Sequence, residues 1–200
     1  MKVEPAGAGD SPASDSGGLI FIRKADGSLP TTPQEVYAVF RRPPRSSDVA
    51  VQKLARADGL LDSVGGPGLA GASLGRPLYA DTRLIVGSVG DGVYALPTTT
   101  GGVCVGTVPN GGGGCTGTGG GPHGLSVDYD APSDGRPFRL YGLVGDDVVG
   151  VDAVVDGVTR QVELAENGYR IELADAGWDQ LSKLVLHLRG GATETVALHP

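Results

Sequence analysis

Aromatic residues and long apolar runs are both scarce in this 200-residue chain. Phe, Trp and Tyr make up 5% of it, which argues against a base-stacking surface or an aromatic platform for sugars. It has no run of 18 apolar residues, so we expect no membrane-spanning helix in this chain. Because 40% of the residues are hydrophobic, the chain can still bury a core, and its length suits one domain with or without an N-terminal arm.

Basic residues are also too few to form a nucleic-acid surface. The net charge is −7. The excess lies in residues 125–200, which hold 13 acidic and 6 basic residues, against 10 of each in residues 1–124. An acidic C-terminal part repels phosphate backbones. We therefore expect another protein as the partner, not nucleic acid, and we predict no cofactor.

Cysteine occurs twice, at Cys104 and Cys115, with ten residues between the two. Between them lie Pro109, Asn110 and four glycines, flanked by β-prone residues, which predicts a hairpin held by one disulfide. A loop of this length gives a stabilisation of roughly 3 kcal/mol. Disulfides persist in oxidising compartments, so we predict an extracytoplasmic protein, secreted or at the cell surface. The alternative is a cytosolic protein with two reduced thiols.

The N-terminal part is expected to be irregular. Residues 1–18 are rich in Gly, Pro, Ser and Ala and predict a disordered polar stalk. No signal peptide is visible. We expect that a leader or an anchor has been removed and that Met1 was added for expression.

Residues 19–79 predict a strand at Leu19–Ile22, a helical arm at about residues 31–62 and a Gly/Pro loop at 63–77. Thr32 as N-cap and Pro33 at the first helical position predict where the first helix starts. The arm then carries Val36, Val39 and Phe40 at helical spacing until Pro43-Pro44 ends the helix. Ser47 or Asp48 can cap a second helix, whose apolar face would be formed by Val51, Leu54 and Leu60.

From residue 80 to residue 200 the pattern becomes that of short strands separated by turn residues. Antiparallel strands spaced in this way predict a mainly β fold, a β-sandwich that is Ig-like or barrel-like, with the helical arm as a small N-terminal addition. No helical segments separate the strands, which argues against a parallel α/β fold. The predicted strands are Arg83–Val89, Gly92–Leu96, Val103–Val108, Cys115–Thr118, Leu125–Tyr129, Phe138–Val144, Val148–Val155, Val158–Leu164, Tyr169–Leu173, Lys183–Leu188 and Thr193–Leu198.

Two motifs allow a catalytic interpretation. Gly71-Ala72-Ser73-Leu74-Gly75 has the spacing of a nucleophile elbow, which requires a buried strand before the serine and a helix after it. Here Pro77 opposes a helix, so a loop is the default. A cysteine paired with His123 is the second possibility, because an adjacent imidazole activates a thiol. A small hydrolase using Ser73 or a Cys/His pair therefore stays an alternative.

Two pairs of acids could contribute to a calcium site. Asp128 and Asp130 share one strand face, and Asp146 and Asp147 lie in a loop. Extracellular sandwiches bind Ca²⁺ with such acids, but each pair lacks the six to eight oxygens that the ion requires. The four residues are weak calcium candidates, with turn capping as the default, and no other metal site is predicted.

Three stretches resemble a known group of proteins. The segment F-R-R-P-P-R-S-S-D at 40–48 is similar to an F-R-R-P-R-x-x-x-D segment. V-Y-A-L-P at 93–97, with the two cysteines after it, is similar to a V-Y-x-x-P…G-x-C…C core. Y-G-L-V at 141–144, D-G at 156–157 and N-G-Y at 167–169 are similar to an ending that reads G-L-V-P-D-G-V…D-G…N-x-Y.

These patterns are found in exported or membrane-anchored actinobacterial proteins of unassigned function. The likeness covers about residues 37–173, and residues 144–148 depart from the V-P-D-G-V form. The resemblance implies a bacterial, exported fold with a disulfide of the same type. It implies no catalytic residue and no ligand.

We therefore expect a non-enzymatic exported module that binds another protein. The predicted contact residues are those of the arm, or the loops near residues 110–123. An alternative is a structural subunit of a larger particle, in which the arm reaches onto a neighbour. The oligomeric state is left open. The five arm residues predicted to bind the partner are Val36, Val39, Phe40, Arg41 and Arg42.

Overall fold

The computed structural model of the protein describes residues 32–57, 75–108, 112–117, 121–133 and 135–199. Several predictions lie outside these residues: the stalk at 1–18, the strand at Leu19–Ile22, the helical position of Leu60, the elbow serine Ser73 and the tip of the hairpin between the cysteines.

The described residues form two α-helices, four 3₁₀ turns and twelve strands. The helices are α1 (Pro33–Val36) and α2 (Ser46–Ala57), and the 3₁₀ turns are Ala38–Phe40, Tyr79–Asp81, Pro122–Gly124 and Trp178–Gln180. The strands are β1 (Arg83–Ser88), β2 (Asp91–Pro97), β3 (Val103–Val108), β4 (Gly113–Thr116), β5 (Asp128–Asp130), β6 (Phe138–Leu143), β7 (Val148–Val155), β8 (Val158–Gln161), β9 (Glu163–Ala165), β10 (Gly168–Leu173), β11 (Leu181–Leu188) and β12 (Thr193–Ala197).

The strands form three antiparallel sheets. Sheet A has the order β1-β2-β3-β4, sheet B has the order β5-β6-β10-β9, and sheet C has the order β12-β11-β7-β8. The predicted mainly β, sandwich-like class with a small helical part is confirmed. The Asp156-Gly157 turn joins β7 to β8 with φ values of 49° and 77°, which suits the tight turns of hairpins.

Sheet B lies between the other two sheets, because the side chains of β6 alternate between two hydrophobic cores. Phe138 and Leu140 belong to the core shared with sheet C. Tyr141 and Leu143 belong to the core shared with sheet A. On the far side of sheet A, Val51 of α2 packs in a third cluster with Tyr94 of β2. The layers therefore follow the order α2, A, B, C.

The predicted helix begins at Pro33 as expected, but its continuation from Val36 through Val39 and Phe40 is wrong, because the chain leaves the helix at Tyr37. This residue is extended, with φ −124° and ψ 115°. Its hydroxyl donates to the Gly124 carbonyl at 2.7 Å, and the ring is buried between the sheets. The amides of the next two residues donate to side chains of the β layers: the Ala38 amide to Asp146 and the Val39 amide to Asn167. These tertiary contacts replace helical hydrogen bonds.

Helix α2 is close to its predicted place but begins at Ser46, before either predicted cap. Asp48 is instead fully buried and accepts the amide of Leu84 in β1 at 2.9 Å. Its carboxylate also accepts the Arg45 amide at 2.6 Å. The arm thus packs on sheet A.

The predicted strand Leu125–Tyr129 begins later, as β5, and the regular ladder is replaced at Ser126, where the Leu143 amide donates to the hydroxyl oxygen of Ser126 at 2.9 Å. The Ser126 carbonyl accepts the Tyr169 hydroxyl at 2.7 Å. A Cβ at Gly142 would lie 2.0 Å from this same Ser126 oxygen. Glycine at 142 is therefore required for the approach of residues 125–127 to β6.

The predicted strand Val158–Leu164 is two strands that belong to different sheets. β8 pairs with β7 in sheet C, whereas β9 pairs with β10 in sheet B. The amide of Val162 makes a last bond to the Val151 carbonyl at 3.1 Å, and the chain then crosses between the sheets. This crossing closes one end of the sandwich, as strands that switch sheets commonly do.

We predict that Gly142→Ala lowers the free energy of unfolding by about 3 kcal/mol, because the new methyl group meets a backbone oxygen that cannot rotate away. Gly90→Ala is the matched control, since a Cβ at Gly90 meets nothing within 4 Å. Urea unfolding of both variants checks the prediction. Equal stability of the two variants would contradict it.

Candidate functional site

The predicted disulfide is present across the β3–β4 hairpin. Cys104 and Cys115 are directly paired in the ladder and bonded to each other, and they pack with Leu96. Both residues are buried. The described residues contain no free cysteine, so the Cys/His alternative has no thiolate in this oxidised form.

The arm is held by a polar cluster, the arm junction, formed by His123, Asp146, Asp147, Glu166, Asn167 and Glu194. Asp146 accepts the Ala38 amide at 2.6 Å and the Asn167 side-chain amide at 3.0 Å, and it forms an ion pair with Arg41. Burial opposes ionisation, but the hydrogen bonds from Arg41, Asn167 and Ala38 lower the pKa of Asp146. This carboxylate therefore fixes the start of the arm.

Arg42 makes the second attachment. Its guanidinium bonds Asp48 at 2.6 Å and Glu166 at 2.8 Å, and it reaches the Leu84 carbonyl at 3.3 Å. Desolvation raises the pKa of the buried Asp48, but bonds from Arg42 and two backbone amides outweigh it and lower the pKa. Removing one member of such a buried pair leaves the other charge uncompensated.

His123 connects two further segments to the junction. Its Nδ1 contacts Asp147 and its Nε2 lies 2.7 Å from Glu194 on β12. Two carboxylate partners favour the doubly protonated imidazolium, because both ring nitrogens then donate. Burial lowers the pKa of His123, but the hydrogen bonds to Asp147 and Glu194 raise it by more.

The junction also concentrates unusual backbone conformations. Four non-glycine residues among those described have positive φ, and three belong to the junction: His123 at 52°, Glu166 at 48° and Asn167 at 71°. The Asn167 side chain uses this conformation to accept the Val39 amide at 3.0 Å. A residue keeps an unfavourable backbone conformation where several surrounding contacts hold it in place. Here the contacts of the arm with Glu166 and Asn167 have this role.

The five residues predicted to bind a partner have contacts within the chain. Val39 is 2% exposed and Phe40 is 7% exposed, and both belong to the core between sheets A and B. Val36 packs against the same core. Arg41 and Arg42 are ion-paired. The apolar side chains of Val39 and Phe40 fill this protein's own core, so they are not exposed for contact with a partner.

The four calcium candidates are not brought together. Asp130 accepts hydrogen bonds from the Tyr141 hydroxyl at 3.1 Å and from the Thr107 hydroxyl at 3.0 Å. Asp146 pairs with Arg41, and Asp147 pairs with His123. In the described part of the chain, no group of three or more His, Cys, Asp or Glu residues could hold a metal ion. The calcium prediction gains no support.

Asp128 differs from Asp130 in the hydrogen bonding of its carboxylate. Its Oδ1 accepts the Tyr129 amide at 2.8 Å, but its buried Oδ2 has no hydrogen-bond partner. Burial, assisted by the nearby Asp130 charge, raises the pKa of Asp128 to about 6. The carboxyl lies on the face of sheet B that is turned toward sheet A, so its ionised form is poorly solvated.

A groove of about 380 Å³ lies beside the first half of β7. β8 pairs only with Asp152–Val155, because the chain then crosses to sheet B. On the β8 side of β7, the described residues therefore place no ladder partner beside residues 148–150, whereas β11 lies along the other side. The groove is lined by Val149, Gly150, Val151, Asp152, Gln161, Val162, Leu164 and His187.

The walls of the groove combine an apolar side chain with a polar pair. Val149 has no ladder partner on β11, where the register shifts between His187 and Leu188, and it is 54% exposed. His187 Nε2 lies 2.8 Å from Asp152 on the outer face of sheet C. The sequence did not reveal this groove, since the alternation of Val158–Leu164 continues through the crossing point.

The fold and these sites define a disulfide-containing antiparallel β protein with a packed N-terminal arm. No helix in the described ranges is long and apolar enough to cross a membrane. No protein-family model, no curated protein and no solved structure matches the chain.

We predict that His123→Asn reduces stability mainly at acidic to neutral pH. Because the folded-state pKa of His123 is raised, its ionic contacts contribute fully below about pH 6.5 and are lost as pH rises through the raised value. Asparagine tolerates the positive φ. Urea unfolding should show a loss of about 1 kcal/mol at low pH that shrinks at alkaline pH. Glu194→Gln should give a smaller change of the same sign, and a pH-independent loss would contradict this role.

We predict that Asp128→Asn, unlike His123→Asn, raises stability and that its effect is largest at high pH. The pKa of Asp128 is raised from 3.8 to about 6, so the wild-type protein loses stability as pH rises between these values. The amide keeps the acceptor for Tyr129 and cannot ionise. The variant should be more stable by about 3 kcal/mol above pH 6, and the gain should vanish below about pH 4.

The matched control for this measurement is Asp130→Asn, which weakens the bonds from Tyr141 and Thr107 and should destabilise. If Asp128→Asn were less stable than wild type at neutral pH, a burial cost for the ionised Asp128 would be excluded.

Proposed function

We propose that this chain is a non-enzymatic extracytoplasmic module that binds an extended segment of another protein. The groove beside β7 is the observation that carries the proposal. An unpaired strand edge can accept an added strand, and neighbouring pockets then select its side chains. Natural proteins usually cover or blunt such edges.

The disulfide supports the proposed compartment. Cys104 and Cys115 are bonded and buried, and structural disulfides persist in oxidising environments. The resemblance to exported actinobacterial proteins agrees with this location and with a bacterial source. We therefore propose that the partner is met outside the cytoplasm.

The groove supports the proposed partner chemistry. Its open part is three residues of β7 long, and Val149 and Leu164 provide apolar contacts at its walls. Asp152, Gln161 and His187 supply polar groups on one side. A short extended segment with an apolar side chain directed at Val149 fits these features better than a folded surface would.

The alternatives receive less support from the described residues. A structural subunit would use an arm that projects toward a neighbour, whereas this arm is folded onto its own sheets through Arg41 and Arg42. A hydrolase based on a Cys/His pair would need a free thiol. Ser73 lies outside the described residues.

The test is site-specific photocross-linking in intact producing cells. A photoreactive side chain at Val149 should form one discrete adduct with another protein, because this side chain borders the groove. The matched control is Val158, which is 59% exposed at the far end of the β7–β8 pair and should form none. Mapping of the adduct should locate the cross-link in a short linear segment of the partner.

Gln161→Arg, which narrows the groove, should abolish the Val149 adduct without changing secretion. Adducts of equal yield from Val149 and Val158 would contradict a groove-specific interaction, and so would the absence of any adduct from Val149.

A further inference from the structure

We infer that Arg83 binds a small monocarboxylate with an apolar tail, through two parallel hydrogen bonds from its guanidinium. This inference goes beyond the proposed function and does not depend on it. Arg83 is the first residue of β1 in sheet A, whereas the groove borders β7 in sheet C. The two sites can therefore be tested separately.

The first support is a buried charge that has no counter-charge. Arg83 is 4% exposed. Within the described ranges, the ion pairs formed by arginines do not include Arg83. An isolated charge is costly to bury, and buried charges in proteins are normally paired. A bound anion would supply the missing charge.

The second support is the hydrogen bonding of the guanidinium. Its Nη1 donates to the Thr82 carbonyl at 3.1 Å, which is the single hydrogen bond of this side chain in the described part of the chain. Its Nε is buried and has no hydrogen-bond partner. Nε and Nη2 together form one edge of the planar group, and such an edge matches the two oxygens of a carboxylate.

The third support is that the acids near the start of β1 have other partners. The Asp48 carboxylate accepts the Leu84 amide, but Asp48 belongs to α2 on the far side of sheet A and pairs with Arg42. Glu166, which Arg42 connects to β1, pairs with arginines of the arm. Neither acid compensates the charge of Arg83.

The fourth support is the apolar surroundings, which select the class of anion. The ladder row of Arg83 continues through Ala95, Val105 and Gly114, so the row holds no second charge. Ala95 and Val105 belong to the core between sheets A and B. Because directly opposed residues share a face of the sheet, the Arg83 side chain leaves β1 on the side of this core.

A monocarboxylate fits these surroundings better than phosphate does. One guanidinium balances one negative charge, and an apolar tail gains free energy by packing against the core. A phosphate dianion would bring a second charge that Arg83 leaves unbalanced in an apolar environment.

The experiment uses the full purified chain and sodium hexanoate at neutral pH and constant ionic strength. Hexanoate should raise the thermal unfolding midpoint with increasing concentration, because a ligand of the folded state stabilises that state. Sodium phosphate and hexanol, which supply an anion and an apolar tail separately, should give no comparable rise. Arg160→Met changes an exposed arginine of β8 and is the matched control, which should respond like the wild-type protein.

Arg83→Met removes the cation and keeps an unbranched apolar side chain. Its affinity for hexanoate should be at least about thirtyfold weaker. Without ligand this variant should be at least as stable as the wild-type protein, because an uncompensated charge is no longer buried. Arg83→Lys keeps the charge but lacks the two-nitrogen edge, so it should bind hexanoate more weakly than the wild-type protein does.

Heteronuclear NMR of the wild-type protein provides a direct readout of the guanidinium. The Nε–H resonance of Arg83, assigned by its absence from the spectrum of Arg83→Lys, should shift as hexanoate binds. An Nε–H resonance that stays unchanged while hexanoate raises the unfolding midpoint would overturn the inference, because binding would then lie elsewhere.

Three further outcomes would overturn the inference. The first is an unfolding midpoint of the wild-type protein that hexanoate does not change, or that hexanoate raises equally in Arg83→Met. The second is strong destabilisation of ligand-free Arg83→Met, which would show that the chain itself compensates this charge. The third is equal stabilisation by phosphate and by hexanoate. The proposed function fails separately, when Val149 forms no adduct with a second protein in cells.

Discussion

Burial of sheet B on both faces is the constraint on which the rest of this structure depends. The polar groups inside a sheet that is covered on both faces lose their water, so nearly all of them need a partner within the protein; Asp128 Oδ2 is an exception. Arg139 bonds Glu172 at 2.8 Å and Asp91 at 2.7 Å, and Arg170 bonds Glu163 at 2.6 Å. Because Asp91 begins β2 of sheet A, these bonds connect the two layers where the hydrophobic core ends.

The arm junction completes this middle layer. Glu166 and Asn167 form the β9–β10 turn of sheet B, and Asp146 follows its central strand β6. The arm residues cover the core between sheets A and B and bring cations to these acids. Two acids of the C-terminal part, Asp146 and Glu166, are therefore paired with arginines of the arm.

The sequence predicted most strands because their signals are local. Tight turns such as Asp156-Gly157 and the alternation of apolar residues placed the hairpins and the disulfide. Prediction from the sequence failed where contacts between residues far apart in the chain decide the local structure. The chain leaves the helix at Tyr37 because the Tyr37 hydroxyl bonds Gly124 and the following amide bonds Asp146. At Val162 the chain crosses between two sheets, and no hydrophobic periodicity in the sequence indicates this crossing. The groove and the arm junction arise from contacts between layers, so no local sequence pattern indicated either.

The ion pair of Arg41 with Asp146 joins residues 105 positions apart, which determines the order in which the molecule can assemble. The N-terminal segment is synthesised first, yet its acidic partners emerge only after the β6–β7 turn has been made. Closing so long a loop costs entropy that distant contacts recover late. This ion pair therefore cannot form until residue 146 has been synthesised, so the arm lacks this partner during the first part of translation.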